Sequence, residues 1–196
     1  RNALNAVYGL QNMGGIIQNS INTGVVFVLR QMGSDPSKIT LSGKELFYNY
    51  IQKFGFGEST GVDLANEVSG SVKSPSNTAD VDYANMTFGQ GIAVTSMQLT
   101  NAFATIANGG KLMKPYMVSE ISDGKIIEKI EPKQLRQVIS KDSSDAIKRM
   151  LERVVKSGSG RPAAVSGYGI AGKTGTAQVP KADGSGYDEN KTIGSF

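Results

Sequence analysis

The chain has 196 residues, enough for one sizeable hydrophobic core, and 39% of them are apolar, the ordinary share for a globular domain. It contains no histidine and no cysteine, which excludes histidine-based triads, thiol nucleophiles, disulfides and zinc sites with the usual ligands, and leaves proton transfer to lysine, serine, tyrosine or carboxylates. Its net charge of +4, from 21 basic and 17 acidic residues, is scattered without a basic patch interleaved with aromatics, so nucleic acid is not an expected partner.

No metal and no cofactor is expected. The longest apolar run, Gly24 to Leu29, is far shorter than the roughly 20 residues of a membrane helix, and Arg1 to Gly9 is no signal sequence, so any membrane anchor is expected outside this chain. The segment from Tyr8 to Met32 begins loosely and then follows one helical pattern that stops at Gly33, with Ser20 and Asn22 as candidate caps near its polar start. Ser42-Gly43-Lys44-Glu45 reads as a capping box opening a helix to about Phe54, which Gly55 and Gly57 end. Glu58 to Asp82, polar and without period, predicts a long loop. A second capping box, Thr95 to Gln98, opens a helix over Met97 to Ala107 with Leu99, Ala102, Phe103, Ile106 and Ala107 as its apolar stripe, closed by Asn108-Gly109-Gly110.

Beyond Pro115, Tyr116 to Ile121 and Lys125 to Ile130 flank an Asp123-Gly124 hairpin turn. Ser122 and Lys125 formally spell S-x-x-K, yet side chains three residues apart meet only on a helix, which a D-G turn cannot supply. A polar segment from Glu131 leads into a helix from about Ser143 to Lys156, with Ile147, Met150, Leu151, Val154 and Val155 on one side. Tyr168 to Val179 reads as a strand, followed by a polar loop over Lys181 to Asn190 and a further strand from Lys191 to Phe196.

The chemistry concentrates at Lys173-Thr174-Gly175-Thr176, one cation and two hydroxyls around a glycine, a set suited to a carboxylate or phosphate. Gly167, Gly172, Lys173 and Thr174 satisfy the phosphate-loop pattern G-x-x-x-x-G-K-T. Their flanks do not: the preceding residues are too rich in glycine, serine and proline for a buried strand, and Pro180 follows too soon for a helix. As a strand, the segment puts Thr174 and Thr176 on one face near Lys173, where an extended substrate could pair with the main chain and present its carboxylate to both hydroxyls, with Gly175 leaving room.

K-T-G-T on a strand resembles the third signature of the penicillin-binding proteins and serine β-lactamases, which accompanies S-x-x-K and S-x-N. Ser20-Ile21-Asn22 matches the second. Phe88-Gly89-Gln90-Gly91, Val94-Thr95, Met97-Gln98-Leu99 and Ala107-Asn108-Gly109-Gly110 through Pro115 resemble the G-Q-G, T-P-x-Q, A-N-G-G, P run of class B penicillin-binding proteins, with Ser96 where proline is common. The resemblance covers most of Gly14 to Phe196 and implies an α/β (α+β) fold of the β-lactamase/DD-peptidase kind, a central antiparallel sheet with helices on its faces, incomplete at both ends. Residues 1–110 would be the mainly helical part carrying S-x-N, and 111–196 the sheet part carrying K-T-G-T.

The resemblance further implies a peptidoglycan D,D-transpeptidase on the outer face of the bacterial membrane, acting on stem peptides, binding β-lactam antibiotics and working beside division or elongation proteins. Carried over, Ser20 passes a proton between nucleophile and leaving amine with help from Lys173. Asn22 bonds the substrate backbone, Thr174 and Thr176 hold a carboxylate, and the Thr176 N–H is half of an oxyanion hole. The S-x-x-K serine would lie upstream of Arg1, so that this chain alone forms no acyl-enzyme. A scaffold or sensor module that has lost catalysis and a serine β-lactamase are the alternatives. Against the first stands the full set of polar site residues; against the second stand the G-Q-G to A-N-G-G run and the lack of an obvious carboxylate to activate a deacylating water.

Overall fold

The apolar run after Tyr8 folds as two helices where its pattern predicts one. α1 (Met13–Gln18) is capped by Asn12, whose side chain accepts the Gly15 N–H at 3.0 Å, and α2 (Asn22–Gln31) follows after a sharp turn. That turn is a Schellman closure: Ser20 takes a left-handed φ of 52°, its N–H donates to the Ile17 carbonyl at 3.3 Å, and the Ile21 N–H donates to the Ile16 carbonyl at 3.0 Å. The chain breaks there because Ile21 turns into the core, where it is 4% exposed. Neither Ser20 nor Asn22 is a cap: extended Ile21 holds the N-cap position without a side-chain bond, and Asn22 is the first helical residue. The helices touch so closely that a Cβ on Gly24 would lie 2.8 Å from the Ile16 side chain.

The computed structural model describes residues 2, 6–125 and 127–196. Residues 1 and 3–5, within the segment read as no signal sequence, and residue 126, within the second predicted hairpin strand, lie outside them. The chain divides into two compact units, one of Arg1–Leu46, Pro75–Gly91 and Ile147–Phe196, the other of Phe47–Ser74 and Ile92–Ala146.

α3 (Leu41–Lys53), in the first unit as far as Leu46, begins earlier than its predicted capping box, because Thr40 Oγ1 accepts the Gly43 N–H at 3.2 Å while Ser42 instead accepts the Ser34 N–H at 3.1 Å. Lys44 of α3 is buried, donating to the Thr78 carbonyl at 2.9 Å and pairing with Asp80 at 2.7 Å. Asp80 opens α4 (Asp80–Met86), a short helix at the end of the predicted loop that carries the buried Tyr83 and Met86. α6 (Lys141–Ser157), in the first unit from Ile147 onward, buries Leu151, Val154 and Val155, three of the five residues expected on its inner side. β5 (Gly175–Pro180) and β6 (Tyr187–Ser195) pair antiparallel. The predicted strand from Tyr168 is thus shorter by seven residues at its start, because Gly172 hydrogen-bonds to the Leu151 carbonyl of α6 at 3.4 Å instead of a neighbouring strand. β6 conversely begins inside the predicted loop.

In the second unit, α5 (Ser96–Ala107) carries the predicted Thr95 and Gln98 capping box, with both reciprocal bonds present. Its inner face is Gln98, Ala102 and Thr105, while Leu99 and Phe103 of the predicted stripe are 43% and 41% exposed. The reason is Gln98: its Nε2 donates to the carbonyls of Glu58 and Ser69, both at 2.7 Å, and draws the polar side of the helix under the long loop. Glu67 accepts N–H bonds from Thr60 and Gly61 in the same loop, and Ser71 bridges to Ala93. α5 packs along β1 (Lys111–Met113), which pairs antiparallel with β4 (Gln134–Gln137), a strand inside the segment predicted only as polar. β2 (Glu120–Ser122) and β3 (Ile127–Lys129) form the predicted hairpin, with Gly124 at φ 87°. Ser122 and Lys125 therefore flank a hairpin turn and share no helical face.

Candidate active site

The Schellman turn presents the Ser20 hydroxyl to solvent, and there it meets Lys173. The Lys173 Nζ donates to Ser20 Oγ at 2.8 Å, to the Thr174 carbonyl at 2.9 Å and to Thr174 Oγ1 at 3.3 Å. These three acceptors match the three N–H groups of an ammonium. Partial burial holds the amine below the ordinary lysine value of 10.5, because desolvation disfavours its charged form. Losing one proton would leave two donors and a lone pair, and that lone pair could accept from Ser20 O–H at the same distance. The 2.8 Å separation is one across which a proton can pass between hydroxyl and amine.

Three glycines make the approach. A Cβ on Gly172 would lie 2.3 Å from the Phe196 ring, and one on Gly158 would lie 2.4 Å from the Gln18 carbonyl. A Cβ on Gly175 would lie 2.4 Å from Ser195 Oγ on the paired strand. Substitution at Gly158 meets backbone and displaces the turn that carries Ser20, whereas at Gly172 and Gly175 the Phe196 ring or the Ser195 hydroxyl would have to turn aside.

Of the predicted site residues, the structure joins Ser20, Lys173 and Thr174 directly. Thr174 lies just ahead of β5, so strand alternation begins only at Gly175, and Thr176 is the exposed second residue of β5. Asn22, half-buried at the start of α2, has no hydrogen bond to Lys173, Thr174 or Thr176 among the described residues. One polar residue escaped the sequence reading. Ser159 Oγ is hydrogen-bonded to Thr174 Oγ1 at 2.9 Å, and the Ser159 N–H donates to the Gln18 carbonyl at 3.2 Å. Its only sequence signal is the flanking glycines of Gly158-Ser159-Gly160, which read as an ordinary turn.

The penicillin binding protein transpeptidase domain family matches residues 2–196, and the chain belongs to that family. Stage V sporulation protein D of Bacillus subtilis is 41% identical over 192 residues, which are 96% of this chain and 28% of that protein. Peptidoglycan D,D-transpeptidase FtsI of Escherichia coli is 30% identical over 180 residues, 91% of this chain and 27% of that protein. Among solved structures, penicillin-binding protein 3 of Mycobacterium tuberculosis, complexed with ampicillin, is similar with a TM-score of 0.86 at 27% identity, over 99% of this chain and 42% of that one. The chain therefore spans between a quarter and a third of the two curated relatives, and its mixed helical and antiparallel architecture is that of the penicillin-binding transpeptidases.

Proposed function

We propose that this chain supplies the proton-transfer and carboxylate-binding part of a peptidoglycan D,D-transpeptidase that works by serine acyl transfer and is inhibited by β-lactams. The observation that carries the reading is the 2.8 Å hydrogen bond between Lys173 Nζ and Ser20 Oγ, a cation and a hydroxyl brought together from distant parts of the chain. In the proposed cycle, a serine nucleophile attacks the penultimate D-alanine carbonyl of a donor stem peptide. The proton released by the attacking serine is passed by Ser20, with the help of Lys173, to the departing D-alanine nitrogen, as the serine–carbonyl bond forms and the carbonyl–nitrogen bond breaks. Thr174 and Thr176 hold the terminal carboxylate, Gly175 admits the peptide against β5, and Asn22 bonds its backbone. The Thr176 N–H stabilises the oxyanion, a contribution of about 3 kcal/mol for one such donor.

The acylated serine is proposed to sit in an S-x-x-K segment of the intact polypeptide, since within these residues that spacing occurs only at Ser122 and Lys125, on the hairpin. The intact protein is proposed to act at the outer face of the bacterial membrane beside division or elongation proteins.

The test is penicillin labelling of the intact polypeptide, with the adduct mapped by mass spectrometry. An adduct on a serine of an S-x-x-K outside these residues is expected. A folded protein that takes no label would overturn the acyl-transfer reading, and an adduct on Ser122 would overturn the site assignment.

A further inference from the structure

The geometry points to Ser159 as a positioning residue that aims the Thr174 hydroxyl at the substrate carboxylate. The inference rests on the acyl-transfer reading above and extends it to a residue outside the signature segments. A hydroxyl has one O–H to donate and two lone pairs to accept with. Thr174 Oγ1 already accepts from Lys173 Nζ at 3.3 Å, and Ser159 Oγ is hydrogen-bonded to the same oxygen at 2.9 Å. Either hydroxyl can donate in that bond; with Ser159 assigned as the donor, both Thr174 lone pairs are occupied by neighbours of known position. The remaining direction of that oxygen, its own O–H, is then forced away from Lys173 and Ser159 and is left for a ligand. Without Ser159, the hydroxyl can turn its proton into the vacated position and face the carboxylate with a lone pair.

Ser159 is itself held for this task. Its N–H donates to the Gln18 carbonyl at 3.2 Å, and the Gln18 side chain returns a bond to the Ser157 carbonyl at 3.3 Å, two links to the turn that carries Ser20. Glycine is required before it, where a Cβ on Gly158 would meet the Gln18 carbonyl at 2.4 Å, and space is tight after it, where a Cβ on Gly160 would meet Phe196 and Val154 at 3.1 Å. Ser159 therefore touches both halves of the site, by main chain toward Ser20 and by side chain toward Thr174. It is exposed and fills no core, so its hydroxyl has no packing role to lose.

The experiment measures acylation of the intact protein by benzylpenicillin and by its methyl ester, which lacks the carboxylate charge. Ser159→Ala is expected to slow the free acid about tenfold, the factor for loss of one well-aimed hydrogen bond to a charged group, and to leave the ester rate unchanged. Ser159→Thr is expected to restore the acid rate. Equal slowing of both compounds, or no slowing of either, would overturn the inference. If the alanine variant fails to fold, Ser159→Thr and Ser159→Val, equal in shape and different in the hydroxyl, make the same comparison, and equal acid rates in that pair overturn it. A wild-type protein acylated by neither compound means that the acyl-transfer reading has failed, and the Ser159 inference falls with it.

Discussion

Lys173 and Ser20 stand 153 positions apart in the chain, yet the amine of one donates to the hydroxyl of the other at 2.8 Å. Removing the amine takes away the hydrogen bond that Lys173 gives Ser20. Lys173→Ala in the intact protein is expected to lower penicillin acylation by about a hundredfold or more, the range of a lost general acid or base. Ser122→Ala, on the exposed hairpin, is expected to label like wild type. Fluorescent penicillin labelling measured over time reads both rates, and normal labelling of the lysine variant would remove Lys173 from the mechanism.

The depressed basicity of Lys173 has a consequence for stability, and its sign follows from proton counting. Burial holds the folded amine below 10.5, so between its folded value and 10.5 the unfolded chain still binds a proton that the folded chain has released. Stability must rise with pH across that window, while below it the burden of burying the ammonium is constant. The melting temperature of wild type minus that of Lys173→Met is therefore expected to increase as pH climbs from neutral toward 10.5. A difference that falls with pH would contradict desolvation as the cause of the shift.

Ser20 holds a left-handed backbone that side chains other than glycine disfavour by about 1–2 kcal/mol. Ser20→Gly is thus expected to stabilise the fold by about 1 kcal/mol while abolishing efficient acylation, and Ser20→Val to lose both stability and labelling. Urea unfolding beside penicillin labelling separates the two effects. A destabilised glycine variant would show that the serine hydroxyl, and not the turn, sets the backbone here.

On α5 the polar residue should matter more than the apolar one beside it. Gln98 is 1% exposed, with Oε1 accepting the Thr95 N–H at 2.9 Å and Nε2 donating to two loop carbonyls. Gln98→Leu strands those three groups and is expected to cost about 3 kcal/mol. Leu99→Ala, on the exposed side, should cost about 1 kcal/mol or less. Chemical denaturation of the two variants decides the order, and a larger loss at Leu99 would mean that the exposed side of α5 is covered in the intact protein.

Glu67 clamps the long loop through the Thr60 hydroxyl and the N–H groups of Thr60 and Gly61, and these bonds, the hydroxyl's first, hold its carboxyl below the ordinary 4.5. A lowered carboxyl contributes stability that is present above its unfolded value and lost as pH falls through its folded one. Limited proteolysis of the segment 58–74 is expected to accelerate in that acid range for wild type. Glu67→Gln should already be cut faster at neutral pH and change little on acidification. Equal cutting of the two proteins at neutral pH would show that the clamp does not order the loop.

Much of the secondary structure was legible because its determinants are local. The Thr95 and Gln98 box, the Asp123-Gly124 turn and the inward residues of α6 each depend on neighbours within a few positions. Where the reading erred, a distant contact had intervened. The predicted single helix over Tyr8 to Met32 breaks because Ile21 finds more burial in the core than helix continuation would give it, and the stripe of α5 is turned because Gln98 serves carbonyls 29 and 40 positions away. β4 and α4 went unseen for a different reason: four and seven residues are too few to show a period.

By itself, the sequence determined which chemistry is open to this protein. An absence of histidine and cysteine in these residues leaves lysine, serine, tyrosine and carboxylates, and the Ser20-Ile21-Asn22 and Lys173-Thr174-Gly175-Thr176 segments mark the candidate groups. Tertiary structure alone decided that Ser20, Lys173, Thr174 and Ser159 form one connected set of hydrogen bonds. That outcome depends on a left-handed turn at Ser20 and on close approaches at Gly158 and Gly172, where the partners, the Gln18 carbonyl and the Phe196 ring, lie 140 and 24 positions away. Contacts at such separations are set by how whole elements pack, and no local pattern of residues encodes them.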